Sequence, residues 1–346
     1  MQVTETITIG DHQLGVGEPI IFSNTEAKAC ADLMTTMILD YALWRAPEAT
    51  SLSNCLMLEQ GFPSLIIAAE FVSTQPTASD LIGIRLDSRG LGVTHALGVS
   101  VMESVAREMK SHRGIRGVST FASDRLSPLL QADHCLSVSA LAEQGIEVVR
   151  IKDLSSAPSD LPVWVNGEPC DLQSFLEKED QAGQLGTLAA KQMRGALERS
   201  VLWPFESKNR SYLLRVNGTL LSSFVSMTEL DRRFPAGFVI DRIYGMSHPI
   251  RCVPEPERHD TDTWFENRRH ALNRLTSGES ASYLVQELRE VSTIKVRGRK
   301  RREHLIMYFV ASRAGILPVG GYAASVRSGV PRLCPDAIVR AVHTLH

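Results

Sequence analysis

Two unbroken apolar runs constrain this chain more than any other feature: "SLIIAAEFV" at 64–72 and "DLIGIRL" at 80–86. Each has the length of a strand. Neither alternates polar with apolar residues, so each needs cover on both faces. Strands of parallel sheets, with helices packed above and below, have such cover. Around these runs the period changes. "EPIIFSNTEAKACADLMTTMILDYAL" predicts a short strand at Ile20–Phe22 and then a helix. Its Ala27, Cys30, Ala31, Met34, Ile38 and Tyr41 recur at the intervals of one buried helical face. "VTHALGVSVMESVAREMKSH" (93–112) sets Leu97, Val101, Val105 and Met109 along one side of a second helix, while "IRGVSTF" (115–121) and "GIEVVRIKDL" (145–154) read as further strands. Strand and helix alternate. Residues 15–154 therefore predict an α/β layer on a mostly parallel, Rossmann-like sheet with helices on both faces.

The rest of the 346 residues predicts a second domain. "SSAPSDLPVWVNGEP" (155–169) reads as a linker, and 171–201 as mostly helical with weak points at Gly183 and Gly186. The expected organisation is 1–154 as the first domain, 155–201 as linker and long helix, and 202–346 as a divergent α/β or α+β domain with β-hairpins. In "YLLRVNGTLLSSFV" (212–225), Asn217-Gly218 between two β-rich runs predicts a two-residue hairpin. "TWFENRRHALNRL" (263–275) predicts a helix, and "TIKVRGRKRREHLIMYFVAS" (293–312) two strands around a basic turn.

A net charge of −2 conceals an asymmetry: residues 1–189 hold 12 Lys and Arg against 24 Asp and Glu, residues 190–346 hold 25 against 15. Opposite charge in the two halves implies that they attract each other or that the second half meets an anion. Six cysteines lie far apart with no C-x-x-C, so no zinc site or redox pair is signalled. "MQVTETITIG" lacks the basic start and apolar core of a signal peptide, and no apolar run reaches the ~20 residues that span a bilayer. The expected location is the cytoplasm, with no membrane partner, no metal and no cofactor.

Three polar loops stand where strands end and helices start: Ser23-Asn24-Thr25, Asp87-Ser88-Arg89-Gly90, and Ser119-Thr120 through Ser123. In open parallel sheets ligands bind beyond the carboxyl ends of the strands. Hydroxyls and free amides at helix starts suit a phosphate there, and the same residues also serve as plain helix caps. The stretch "RLSPLLQADHCL" (125–136) adds a Ser-Pro opening, a short helix and a break at Asp133. Together "FSNTEAK", "IRLDSRGLGVTHA" and "RLSPLLQADHCLSV" resemble the loops of the sugar isomerase (SIS) domain family over residues 19–140. The first loop lacks that family's glycines, and Arg89 stands where it has a small residue. The resemblance implies a phosphosugar-binding protein, or an aldose–ketose isomerase of SIS type. Ser23, Asn24, Thr25, Ser88, Arg89, Gly90 and Thr94 would then hold the phosphate. "SPLLQAD" would form a short helix before an edge strand at Cys135–Val138. In the second half "YGMSHPIRC" and "LTSGESASYLVQELRE" are faintly similar to a second SIS domain. There Ser277 and Ser280 stand in a phosphate loop before a helix, and His248 and Glu279 are the candidate acid–base residues.

Two rival readings stand beside this one. Arg89-Gly90-Leu91-Gly92-Val93-Thr94 also resembles the pyrophosphate loop of the GNAT acyltransferases. The other rival is not an enzyme. Lys295, Arg297, Arg299, Lys300, Arg301 and Arg302 crowd into eight residues at a hairpin tip, followed by Tyr308 and Phe309. Basic hairpins with aromatic neighbours hold nucleic-acid backbone and stack bases; a solvated turn is the plain alternative. The expected partners are a sugar phosphate or other small anion, nucleic acid through the basic half, and a second copy of the chain in a homodimer.

Overall fold

The run Leu305–Val310 is buried on both sides. Leu305, Met307 and Phe309 are solvent-free on one face, and Ile306, Tyr308 and Val310 are all but solvent-free on the other. The sheet around this run was traced in a computed structural model. It describes residues 3–45, 66–71, 80–85, 89–113, 117–121, 127–151, 162–165, 168–171, 200–202, 213–215, 218–242, 250–255, 261–288, 292–312, 315–327 and 333–344.

In chain order the amino-terminal elements are β1 (Val3–Ile9), β2 (His12–Gly17), β3 (Ile20–Phe22), α1 (Asn24–Arg45), β4 (Ile66–Phe71), β5 (Leu81–Arg85), α2 (Leu91–Ala96) and α3 (Val101–Glu108). A π-helical turn, Met109–Arg113, follows α3. Next come β6 (Gly117–Phe121), α4 (Pro128–Glu143), β7 (Glu147–Ile151), β8 (Pro162–Val165), β9 (Glu168–Asp171), β10 (Ser200–Leu202) and β11 (Leu213–Arg215). The remainder is β12 (Thr219–Leu220), α5 (Met227–Arg233), β13 (Phe238–Arg242), β14 (Ile250–Cys252), α6 (Thr261–Thr276), β15 (Tyr283–Glu287), β16 (Thr293–Val296), β17 (Arg299–Ser312), β18 (Gly315–Val326) and β19 (Ile338–Thr344).

The fold is mixed α/β. Its main sheet runs β1-β2-β19-β18-β17-β4-β5-β11, with β16 added to β17 and β3 to β19. A mostly parallel sheet was the expectation, and here the structure differs. β4 lies antiparallel to both β5 and β17, and β17 antiparallel to β18. Among the described residues of this sheet, only the pairings of β19 with β2 and β3 are parallel. A separate three-stranded sheet, β10-β6-β7, is parallel throughout. The physical reason is plain. An unbroken apolar run reports cover on both faces, and a central antiparallel strand with helices on both sides has the same cover.

One face of the main sheet carries an extensive core. Ile306, Tyr308, Val310, Tyr322, Ala324 and Val339 meet Leu91, Val93, Val101, Val105, Leu129, Val138 and Leu141 from α2, α3 and α4. α1 lies against β18, yet none of its buried residues, Ala27, Cys30, Ala31 and Met34, belongs to that core, which puts α1 on the other face. The predicted 93–112 helix is broken: Gly98 takes φ 70° between α2 and α3.

The main sheet draws strands from residues 3–85 and from 213–344, so the two halves are interleaved rather than set side by side. Part of the expected linker forms the β8–β9 hairpin. The Asn217-Gly218 hairpin is not formed: β11 pairs with β5, whereas β12 pairs with β15 in another sheet. That second sheet, β12-β15-β13-β14, is antiparallel. With α5 and α6 it encloses Leu221, Leu230, Phe238, Ile240, Cys252, Ala271, Tyr283 and Val285. Arg268 of α6 grips Asp231 of α5 with two nitrogens, one at 2.9 Å, and its guanidinium stacks 5.2 Å from the Trp264 ring centroid. No helix among the described residues is long and apolar enough to cross a membrane.

Replacing Phe309 by Ala would open a cavity in a fully buried strand covered on both faces. The expected loss is about 3–5 kcal/mol, read by urea denaturation; a loss under about 1 kcal/mol would contradict the two-sided burial.

Candidate functional site

In the described part of the stretch 125–136, residues 127–136, Asp133 makes the long-range contacts. Ser127 accepts the Leu130 N–H at 3.4 Å and caps α4, and Pro128 opens the first turn, where no N–H is needed. The helix then continues to Glu143, so Cys135–Val138 is helical rather than the expected edge strand. Leu129, Asp133, Ser137 and Leu141 fall at four-residue intervals on its buried side. Asp133 therefore points inward, 1% exposed, and reaches the start of α2. Its Oδ2 accepts the Gly90 N–H at 2.7 Å and its Oδ1 the Val93 N–H at 2.8 Å.

The 89–93 loop is thus a cradle of backbone amides whose occupant, the Asp133 carboxyl, belongs to the protein. Gly90 takes φ 84°, and a Cβ there would stand 2.2 Å from the Tyr322 ring; one on Gly92 would stand 2.1 Å from the Asp133 carbonyl oxygen. The Tyr308 hydroxyl donates to the Arg89 carbonyl, and the Tyr308 and Tyr322 rings stack with centroids 6.3 Å apart. Thr94 is fully buried and turns its hydroxyl to the Leu91 carbonyl at 2.7 Å.

The other sequence candidates are spread over the fold. Ser23 forms a reciprocal cap with Glu26: the Ser23 N–H donates to the Glu26 carboxylate at 3.1 Å, and the Glu26 N–H to the Ser23 hydroxyl at 3.3 Å. Asn24 and Thr25 are exposed in the first turn of α1, on the sheet face opposite α2. Ser277 donates to the Arg274 carbonyl at 2.9 Å. Ser277-Gly278-Glu279-Ser280 leads through one 3-10 turn, Ser280–Ser282, into β15, not into the helix expected after it, and Glu279 is exposed. Ser88 and His248 lie outside the described residues. Among those residues, no group of three or more His, Cys, Asp and Glu side chains is set to hold a metal.

The basic hairpin forms where expected. β16 and β17 pair from Thr293↔Arg302 to Val296↔Arg299, and Arg297 (φ 48°) with Gly298 (φ 77°) makes the tight tip. Lys295, Arg297, Arg299, Lys300 and Arg302 are exposed. Arg301 is a correction to the expectation of an outward-facing cluster. It is 5% exposed and donates to the carbonyls of Ser325, at 2.9 Å, and Asp336. The pleat sends alternate residues to opposite faces, and position 301 falls on the inward one. Tyr308 and Phe309 are likewise solvent-free, so neither can stack a base.

No family model matches the chain, and no curated protein matches it. Among solved structures it is similar to a glutathione synthetase-like effector, GSS30 from Globodera pallida, in its apo form. Identity is 8% over 98% of this chain and 93% of that one, with a TM-score of 0.41.

Asp133 and its neighbour His134 were missed as a pair by sequence reasoning, although a carboxylate at core spacing in an apolar helix was there to be read. Burial pushes the Asp133 carboxyl up to about 7, against the pull of the Gly90 and Val93 amides and the Arg89 charge. Burial also pushes the His134 imidazole down to about 4. Between these values the folded pair is neutral and holds one proton, on Asp133. The unfolded pair also holds one between roughly pH 4 and 6.5, on the histidine. The two effects cancel, so the pair adds no pH dependence to stability in that window. Single substitutions should expose the two opposing slopes. Asp133→Asn leaves only the depressed histidine, and stability should fall as pH drops from about 6.5 to 4. His134→Gln leaves only the raised carboxyl, and stability should fall as pH rises from about 4 to 7. Each slope is about 1 kcal/mol per pH unit. Urea melts at pH 4.5, 5.5 and 6.5 decide; the same slope in both variants would refute the compensation.

Proposed function

We propose that the protein binds nucleic acid by its backbone phosphates, through the β16–β17 hairpin. One observation carries this reading. Lys295 and Lys300 stand directly opposite each other, with Arg302 two residues along the same face and Arg297 and Arg299 exposed at the tip. Each phosphate held by these exposed side chains would release condensed counterions. Sugar-phosphate binding with isomerisation, and acyl transfer, draw less support. Both rely on the 88–94 loop, whose Gly90 and Val93 amides are directed at Asp133.

The test is fluorescence anisotropy with labelled oligonucleotides over a salt series, using the triple variant Arg297→Ser, Arg299→Ser, Lys300→Ser. Binding should weaken by at least tenfold at about 50 mM salt, and the slope of log K against log salt should flatten by up to about 3. The melting temperature should hardly move, because all three side chains are exposed. Arg301→Ala should do the reverse, lowering the melting temperature while keeping the slope. If the triple variant instead lowered the melting temperature and left oligonucleotide binding unchanged, the cluster would be an intramolecular contact and the reading would fail.

A further inference from the structure

We infer that the protein pairs with a second copy of itself through α6, the two helices lying antiparallel about Phe265; this is independent of the reading just given. The first ground is how α6 packs. Trp264, Arg268, Ala271 and Leu275 recur at one-turn intervals and form its inner side. Ala271 is the one fully covered residue of the sixteen, and the Trp264 indole N–H donates to the Val253 carbonyl at 2.9 Å. One residue on from each of these runs a second stripe, Phe265, Arg269, Leu272 and Thr276, rotated by about 100° and exposed along its length. Phe265 is 62% exposed and Leu272 46%. The Phe265 ring is held edge-on to Trp264, centroids 4.9 Å apart, so it is presented to solvent in a set position.

The second ground is charge. Arg268 is bound to Asp231, Glu266 lies 3.4 Å from His270, and the Arg274 guanidinium stands 5.0 Å from the Tyr283 ring centroid. The remaining charges of α6 are Asp262 and Arg269, both exposed, and among the described residues neither makes a hydrogen bond or ion pair. They flank Phe265 on its own side of the helix, Asp262 three residues before it and Arg269 four after. That spacing is self-complementary. A two-fold axis makes each contact occur twice, residue i on residue j and j on i. With the axis midway between positions 265 and 266, the two Phe265 rings meet. Asp262 of each copy then faces Arg269 of the other, because both lie three and a half residues from the axis. Other arrangements are penalised. Parallel helices would set Asp262 on Asp262 and Arg269 on Arg269. An antiparallel pair centred between Phe265 and Leu272 would set Arg269 on Arg269. The charges thus select one register, while the apolar side chains supply the attraction. A polyanion suits this stripe poorly, since Asp262 and Glu266 lie beside it. A helix of sixteen residues is about 24 Å long and covers less than the roughly 800 Å² per partner of a standard interface, so the dimer is weak and reversible.

The experiment is sedimentation velocity on the full chain from about 1 to 300 μM, without nucleic acid, at about 50 mM salt, where a weak dimer of this size dissociates at micromolar concentration. Phe265→Ser should weaken dimerisation at least tenfold and leave the melting temperature nearly unchanged, because the ring is mostly exposed. Asp262→Arg and Arg269→Asp should each weaken it as well, by setting like charges face to face. An equimolar mixture of those two single variants should restore the dimer, since each copy then offers the charges the other lacks. The double variant carrying both changes should restore it too, which separates the contact from any effect on folding. A chain that stays monomeric at 300 μM would overturn the inference. So would a dimer that Phe265→Ser leaves at its original affinity, because the contact would then lie elsewhere. A dimer lost in Phe265→Ser but indifferent to both charge changes would overturn the antiparallel register.

Discussion

Everything in the main sheet depends on one strand being covered on both faces. β17 has no solvent-facing side between Leu305 and Val310, so it must sit in the middle and needs neighbours on both edges. It finds them in β18 and β4, which lie some 250 residues apart in the chain. That requirement joins the ends of the chain in a single sheet, and β19 then takes β2 and β3 as parallel partners. It also brings the acidic and basic halves into one body. Arg340 of β19 donates to the Glu18 carbonyl at 2.7 Å and pairs with the fully buried Glu303 at 3.1 Å. A buried carboxylate left without its cation is strongly unfavourable. This pair therefore fixes how β17 and β19 face each other across β18.

Much of this was legible. The strands at 66–71, 81–85, 117–121 and 147–151, the helices at 24–45 and 261–276, and the 293–312 hairpin all stand where periodicity put them. Strand direction was not legible, because the number of buried faces is the same for a central parallel and a central antiparallel strand. Pairing partners were not legible either. Asn-Gly marks a turn, but a turn becomes a hairpin only if the flanking strands share a sheet, and β11 and β12 do not. In both cases the missing information is long-range, set by which distant strand offers a free edge.

The resemblance of the 88–94 loop to phosphate-binding loops has a physical basis that needs no phosphate. Glycines that allow close approach, and amides that converge at a helix start, favour any anion. Here the chain supplies its own carboxyl group, that of Asp133. The position of Asp133 could have been foreseen from the four-residue spacing Leu129, Asp133, Ser137, Leu141, which sets a carboxylate on the buried side of a helix. Once inside, that carboxylate must find donors, and the loop opposite has two. The glycines follow from the same contact, since Gly92 lies against the Asp133 carbonyl and Gly90 against Tyr322. Local sequence thus describes the cradle faithfully and is silent about its occupant.

The basic run teaches a related lesson about period. Arg299, Lys300, Arg301 and Arg302 look interchangeable in the sequence, yet strand geometry divides them. Residues 300 and 302 share a face with Lys295, while 299 and 301 lie on the other. Arg301 is far enough from the tip to reach the backbone beyond β18, and Arg299 is not. The inward arginine satisfies carbonyls at the end of β18 and in the loop before β19, groups that would otherwise need water. Its charge is withdrawn from the surface and becomes an anchor. A charged hairpin would lose conformational freedom on meeting any ligand. Anchoring its root lowers that entropy loss in advance, so more of the attraction of the exposed cations is left as affinity.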